Sequence, residues 1–300
     1  MKTVLIGLLF LFSATLFAQK EYYYLRIFHY NLENPAALHL QGKVSGNSGF
    51  GFGTSNNDRR LNGFYSGCYY IKALKFALQF KQNYESDYAY TTSVKAISLN
   101  KYYKIKKKGT LSFGVALKLI NASLDWDKLI WADQISPSAG VRYHTNETRL
   151  VKEVFSASFD LAALYYLPIK KPFFTGIIIN NITQPYLSFG NAAGPATFIP
   201  REIKIYAGQQ FSIGKKEKEV VSLMYRQYIN YHQLIVKSDF IYNEKYVFGL
   251  ESNFSGSLKL ALGYLPTKHW RAAAIVDVMP NSRSTNGNSN FITISAGYAL

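Results

Sequence analysis

Along most of this chain hydrophobic residues alternate with polar or small ones, so the dominant repeat is two rather than 3.6. In Thr110 to Ile120, Leu111, Phe113, Val115, Leu117 and Leu119 share one face, and Ser112, Gly114, Ala116 and Lys118 share the other. Leu258, Leu260, Leu262 and Tyr264 oppose Lys259, Ala261 and Gly263. Tyr246, Phe248 and Leu250 oppose Gly249 and Glu251. The end of the chain repeats the pattern, with Ile292, Ile294, Ala296, Tyr298 and Leu300 against Thr293, Ser295 and Gly297.

Alternation alone fits a soluble sandwich or a membrane barrel, and strand length decides between them. The alternating runs are about ten to fifteen residues, whereas globular strands are nearer five or six. A tilted strand crossing a bilayer needs about nine to eleven. Gly, Ala, Ser and Lys opposite the apolar row suit a polar lumen better than a dry core. The pattern predicts strands at 38–54, 58–70, 72–84, 90–104, 109–124, 153–166, 172–182, 200–214, 218–230, 231–243, 244–256, 257–267, 269–280 and 290–300. Those fourteen strands make an all-β fold, a transmembrane antiparallel up-and-down barrel.

The connections supply a second test, because outer-membrane barrels have short periplasmic turns and longer outer loops. Every second connection is short and most of these are basic: Lys106-Lys107-Lys108-Gly109, Pro168 to Pro172, Gly214 to Lys218, Asn243-Glu244 and Pro266 to Lys268. The long connections, 125–152, 183–199 and 281–289, all fall on the opposite side. Lysine in a tight hairpin keeps it solvated and stops the strand slipping into lipid. The sharper alternative is a positive rim that docks an acidic periplasmic partner.

Ahead of the barrel, Lys2, the apolar run Val4 to Phe12 and Ser13 to Ala18 read as an export signal, residues 1–18, cut before Gln19. Leu16 departs from the usual small residue at that cleavage site. Residues 19–37 are expected to lead in on the periplasmic side, with a plug or a further strand as alternatives, and 38–300 to form the barrel. No later segment offers eighteen uninterrupted apolar residues, so helical spans are excluded. With a single cysteine, Cys68, no internal disulfide can form. The 24 Tyr and 21 Phe match the aromatic belts of a barrel at both membrane boundaries. A formal charge of +16 could suggest nucleic acid, but export and the scatter of lysines over turns and alternate strand positions oppose it.

Nothing in the chain specifies a reaction. His29, His39, His144, His232 and His269 form no zinc-binding spacing. There is no nucleophile elbow, and Gly49-Phe50-Gly51-Phe52-Gly53 lacks the helix and the Lys-Ser/Thr of a phosphate loop. Strand glycines facing a crowded lumen explain it better. Asp125, Asp127 and Asp133 lie in the longest outer loop without the spaced ligand series of a calcium site, and Trp126 and Trp131 accompany them, at the membrane boundary or folding the loop over the mouth. No cofactor or metal is expected.

Several segments in order resemble the PorP/SprF family of outer-membrane proteins of the type IX secretion and gliding machinery. Tyr30-Asn31 followed by Asn34-Pro35-Ala36 is similar to that family's opening. Phe174-Thr175-Gly176-Ile177, then Asn180-Asn181-Ile182 and Gln184-Pro185, resembles its central stretch. Pro200-Arg201 before Ile205-Tyr206-Ala207-Gly208, then Leu262-Gly263-Tyr264 and Ser295-Ala296-Gly297-Tyr298, completes the series. Two departures are Glu21-Tyr22-Tyr23-Tyr24 in place of a glutamine-rich opening and a terminal Leu300 in place of an aromatic residue. The resemblance implies a non-enzymatic barrel in outer-membrane lipid that helps to export or anchor adhesin-like cargo with a type B C-terminal domain. It also implies contact with periplasmic components of the same system. Asn34, Pro35, Ala36, Asn181, Gln184 and Pro185 are its matched positions, read as structural or interaction residues rather than catalytic ones. A porin or small-solute transporter is the alternative, on the strength of inward polar residues such as Lys118, Lys237 and Glu251. A barrel enzyme would need a catalytic constellation that the sequence does not offer.

Overall fold

Fourteen antiparallel strands pair in sequence order, and the last closes on the first. They are β1 (Val44–Ser55), β2 (Asp58–Ile71), β3 (Phe76–Asp87), β4 (Tyr90–Lys104), β5 (Thr110–Leu124), β6 (Glu153–Leu167) and β7 (Phe173–Asn180). The second half comprises β8 (Glu202–Ser212), β9 (Glu217–Tyr228), β10 (Tyr231–Tyr242), β11 (Tyr246–Asn253), β12 (Leu258–Tyr264), β13 (Trp270–Met279) and β14 (Ser289–Ala299). The computed structural model describes residues 34–41, 43–55, 58–87, 89–105, 109–129, 134–136, 140–141, 151–187, 189, 198–229, 231–253, 258–267, 270–279 and 289–299. The expected export signal, Tyr30-Asn31, Lys106 to Lys108, Trp131, Asp133, His144, His269 and Leu300 lie outside the described residues.

Closure removes the exposed edges that a flat sheet would leave in lipid. The seam runs from Ser45 opposite Ala299 to Thr54 opposite Asn290. Both ends of the barrel sheet therefore lie on the rim that carries the short turns. Because the side-chain period is two, each strand sends one row outward and one inward. On β5 the outward row Phe113, Val115, Leu117 and Leu119 is exposed, and Ser112, Gly114, Ala116 and Ile120 are buried in the lumen. Tyr69, Tyr103, Tyr242, Tyr246 and Tyr264 gird the wall near one rim, and Tyr84, Tyr90, Tyr228 and Tyr231 near the other. Among the described residues no helix is long and apolar enough to cross a membrane; the strands cross it.

Several boundaries differ from the reading by alternation. The strand expected at 72–84 is β3, Phe76–Asp87, behind a 3-10 turn at Lys72–Leu74, and those expected at 244–256 and 257–267 are the shorter β11 and β12. The strand expected at 38–54 is a 3-10 segment, Pro35–Gln41, followed by β1 from Val44. Leu38 and Leu40 mimic strand periodicity, but Leu38 is buried against Cys68 and Ala77 inside the barrel. The strand expected at 172–182 stops at Asn180, because Asn181 has φ 54, a left-handed backbone that cannot continue a ladder. Phe64 on β2 lies so close over Gly49 on β1 that a Cβ there would stand 2.4 Å from its ring. At Gly49 the missing side chain thus makes room for Phe64 in the lumen.

Candidate functional site

The lumen is filled in layers, beginning with the 3-10 segment. Asn34 starts it: its side-chain oxygen accepts a hydrogen bond from the Ala36 N–H at 2.8 Å, and its carbonyl accepts one from Ala37 at 3.1 Å. Pro35 presets the φ of that turn. The Asn34 amide donates to the hydroxyl of Tyr206 on β8. Asn34, Ala36 and Leu38 are buried. The described part of the expected lead-in, Asn34 to Ala37, therefore sits inside the barrel as part of a plug.

Asn100 on β4 holds this plug to the wall. Its amide donates to the carbonyls of Ala36 at 2.9 Å and Phe113 at 3.0 Å. Its oxygen accepts from the His39 backbone N–H at 3.3 Å and faces the ring Nδ1 at 3.2 Å. That acceptor selects the tautomer protonated on Nδ1, and Nε2 is left buried without a partner. The His39 ring stacks on Tyr102 at 4.7 Å, and Tyr102 in turn bonds to the Tyr70 hydroxyl at 2.8 Å. Burial pushes the His39 pKa down from 6.5 to about 4. Directly opposite Asn100 in the β4–β5 ladder is Gly114. A Cβ at Gly114 would stand 2.3 Å from the Ala36 nitrogen and from the Pro35 carbonyl carbon, so the wall is glycine where the plug touches it.

Beyond Pro35 opens a cavity of about 370 Å³, walled by β3 to β9, room for roughly a dozen waters. Its charges are paired both across strands and along them. Lys118 on β5 meets the Asp160 carboxylate on β6 at 2.7 Å and donates to the Asn181 side-chain oxygen at 2.7 Å. The Asn181 N–H donates to Asp160 at 2.9 Å, and its amide donates to the Pro200 carbonyl at 3.3 Å. Next door, the Glu202 carboxylate accepts from Asn180 at 2.7 Å, pairs with Lys204 at 3.2 Å and receives Arg226. Lys237–Asp239 at 3.5 Å and Lys259–Glu251 at 3.4 Å carry the alternation of charge around to β12.

The outer loop after β7 turns back over this chamber. Asn181 and Gln184 both take positive φ, and the Gln184 N–H bonds to the Asn181 carbonyl at 2.9 Å. Pro185 is buried, and its carbonyl accepts from Ile199 at 2.9 Å. Leu187 then packs on Ile120 and Ala122, with Val94, Val154, Phe189 and Ile199 around them. Of the matched positions, Pro35 and Asn181 line this cavity, whereas Gln184 lines a separate one with Pro200, Arg201, Ile203, Gln227 and Ile229. Gln184 itself is exposed.

Asn100, Tyr206, Gly114 and the Lys118–Asp160 pair were not singled out from sequence as plug or chamber contacts. A usable signal was present in part, since Asn100 and Gly114 share the inward parity of paired strands. Elsewhere, Asp125 accepts from the Asp127 N–H at 3.3 Å and pairs with Lys128 at 3.1 Å. The Lys128 hydrogen bond holds the Asp125 carboxyl below its ordinary value. Among the described residues no three His, Cys, Asp or Glu side chains gather as metal ligands.

A closed barrel with a greasy exterior, aromatic belts and a self-filled polar lumen is an outer-membrane β-barrel protein. A family model described as type IX secretion system membrane protein PorP/SprF matches residues 80–298, and the chain belongs to that family. It is a membrane component of that secretion system, and it resides in the outer membrane. A search of curated proteins returns no significant match. Among solved structures, the toluene transporter TbuX of Ralstonia pickettii aligns with TM-score 0.55 at 12% identity, covering 90% of this chain and 92% of that one. The toluene transporter TodX of Pseudomonas putida aligns with TM-score 0.55 at 11% identity, covering 89% and 92%. The monoaromatic hydrocarbon channel CymD gives TM-score 0.52 at 11% identity, covering 90% and 92%. At such identities the likeness is one of fold.

Proposed function

We propose that this barrel acts without catalysis, as a docking and anchoring platform for adhesin-like cargo that carries a type B C-terminal domain. The observation that carries the reading is the filled lumen. A plug seated on Asn100 and Tyr206, followed by a chamber of paired charges and an apolar cluster at Leu187, leaves cargo to be held at the rims rather than threaded through. In this reading residues 1–18 are a removed export signal, and periplasmic secretion components meet the inner rim. Asn34, Pro35, Ala36, Asn181, Gln184 and Pro185 serve interaction indirectly, by fixing the plug and the outer loop.

Deletion of the gene is the test. The expected result is loss of surface display of one or a few large adhesins, with unchanged uptake of small antibiotics. Normal display in the deletion strain overturns the proposal. A small-solute channel is the second reading, favoured by the cavity of about 370 Å³ between plug and outer loop. It predicts stable ion-conducting channels from the purified protein, with display unaffected.

A further inference from the structure

Five turns of the inner rim repeat one composition. Their described residues, 72–75, 104–105, 109, 168–172, 213–218 and 243–245, hold nine lysines against two glutamates. The longest outer connection, 125–152, balances four Lys or Arg against four Asp or Glu. The positive charge therefore gathers on the inner rim.

Beside those lysines, four of the five turns carry an aliphatic side chain open to the surroundings: Leu74 is 63% exposed, Ile105 42%, Ile169 46% and Ile213 61%. Ile105, Ile169 and Ile213 continue the outward, lipid-facing parity of β4, β6 and β8. The Lys171 ammonium stands 5.9 Å over the ring of Phe211, at the inner end of β8. Lys218 reaches Glu244 of the next turn at 2.7 Å, which ties two turns together, and Lys170, Lys215 and Lys216 stay exposed.

Solvating a hairpin requires lysine but gives no reason to expose Leu or Ile beside it. An acidic protein surface would likewise need the ammonium groups alone. An aliphatic group in the outward row, flanked by ammonium groups on long stems, matches a bilayer boundary: the alkyl enters the acyl region and the charge reaches phosphate. We propose that the inner rim is a binding surface for anionic glycerophospholipid of the periplasm-facing leaflet. Its lysine turns clamp phosphodiester headgroups, and Leu74, Ile105, Ile169 and Ile213 seat beside the acyl chains.

The test uses the full barrel in micelles containing equal phosphatidylglycerol and phosphatidylcholine, with retained lipid measured after size-exclusion chromatography. An anionic surface adds about fivefold in binding per nearby lysine. Phosphatidylglycerol should therefore be retained at least about tenfold over phosphatidylcholine at low salt, and the ratio should fall towards one in 0.5 M salt as screening sets in. The combined variant Lys170→Gln, Lys171→Gln, Lys215→Gln and Lys216→Gln should lose most of the preference. Ile169→Ser with Ile213→Ser should retain less of both lipids while keeping the preference. Equal retention by the unaltered protein, or a preference indifferent to salt, overturns the proposal. Displacement of the lipid by soluble polyglutamate overturns it too, and would mark the rim as a site for an acidic protein.

Discussion

Gly114 bears no side chain, and the backbone of Pro35 and Ala36 occupies the volume where one would stand. That contact joins two segments nearly eighty residues apart in the chain. The plug is rigid backbone held by Asn100, so it cannot yield as the tip of a flexible side chain would. Gly114→Val places two methyls in the same space and should unseat the 3-10 segment without touching the lipid face. Cys68 is a built-in reporter: its thiol is buried, and Sγ lies 3.8 Å from the Leu38 carbonyl under the plug. Maleimide labelling of Cys68 in the folded barrel should accelerate at least about tenfold in the variant, equivalent to roughly 1.4 kcal/mol of lost protection. Labelling at the unaltered rate would mean that the plug is not what shields Cys68.

At the scale of the element, the 3-10 segment depends on a neutral His39. Its pKa of about 4 lies below the ordinary 6.5, so the docked plug binds fewer protons than the undocked chain between those values. Stability from this contact is fully present above pH 6.5 and is lost as pH falls towards 4, by no more than about 3 kcal/mol. His39→Gln keeps a neutral hydrogen-bonding side chain, so the melting temperature of the native protein in detergent should drop more than the variant's between pH 7 and pH 4.5. Parallel curves would exclude His39 as the cause. The barrel strands were legible because alternation is local: β5 announces its two faces within eleven residues. The lysine turns and long loops fixed their order and orientation. The plug stood only as an alternative for residues 19–37, because Leu38 and Leu40 alternate as a strand would, and the residues that hold it, Asn100, Tyr102 and Tyr206, are remote in sequence. The end of β7 turned on the left-handed backbone of Asn181, which composition does not reveal.

For the molecule as a whole, wall and filling are separable. The wall closes through the β1–β14 ladder and every neighbouring pair of strands, so its hydrogen bonds are complete without the plug. The plug adds buried contacts at Asn34, Ala36 and Leu38 but donates no strand to the sheet. Deletion of residues 34–41 should therefore leave a barrel that still shifts on unheated gels, with a lower melting temperature because a cavity replaces packed side chains. In planar bilayers the full chain should conduct weakly, since plug, paired charges and the Leu187 cluster lie in series. The deletion variant should conduct several-fold better if the plug is the main barrier. Equal conductance would shift the barrier to the outer cluster, and Leu187→Ser in the deletion background should then open the path. If the deletion variant conducts freely while adhesin display in cells persists, the plug is a seal and the platform resides in the rims. Loss of display together with gain of conductance would tie cargo handling to the filled lumen itself.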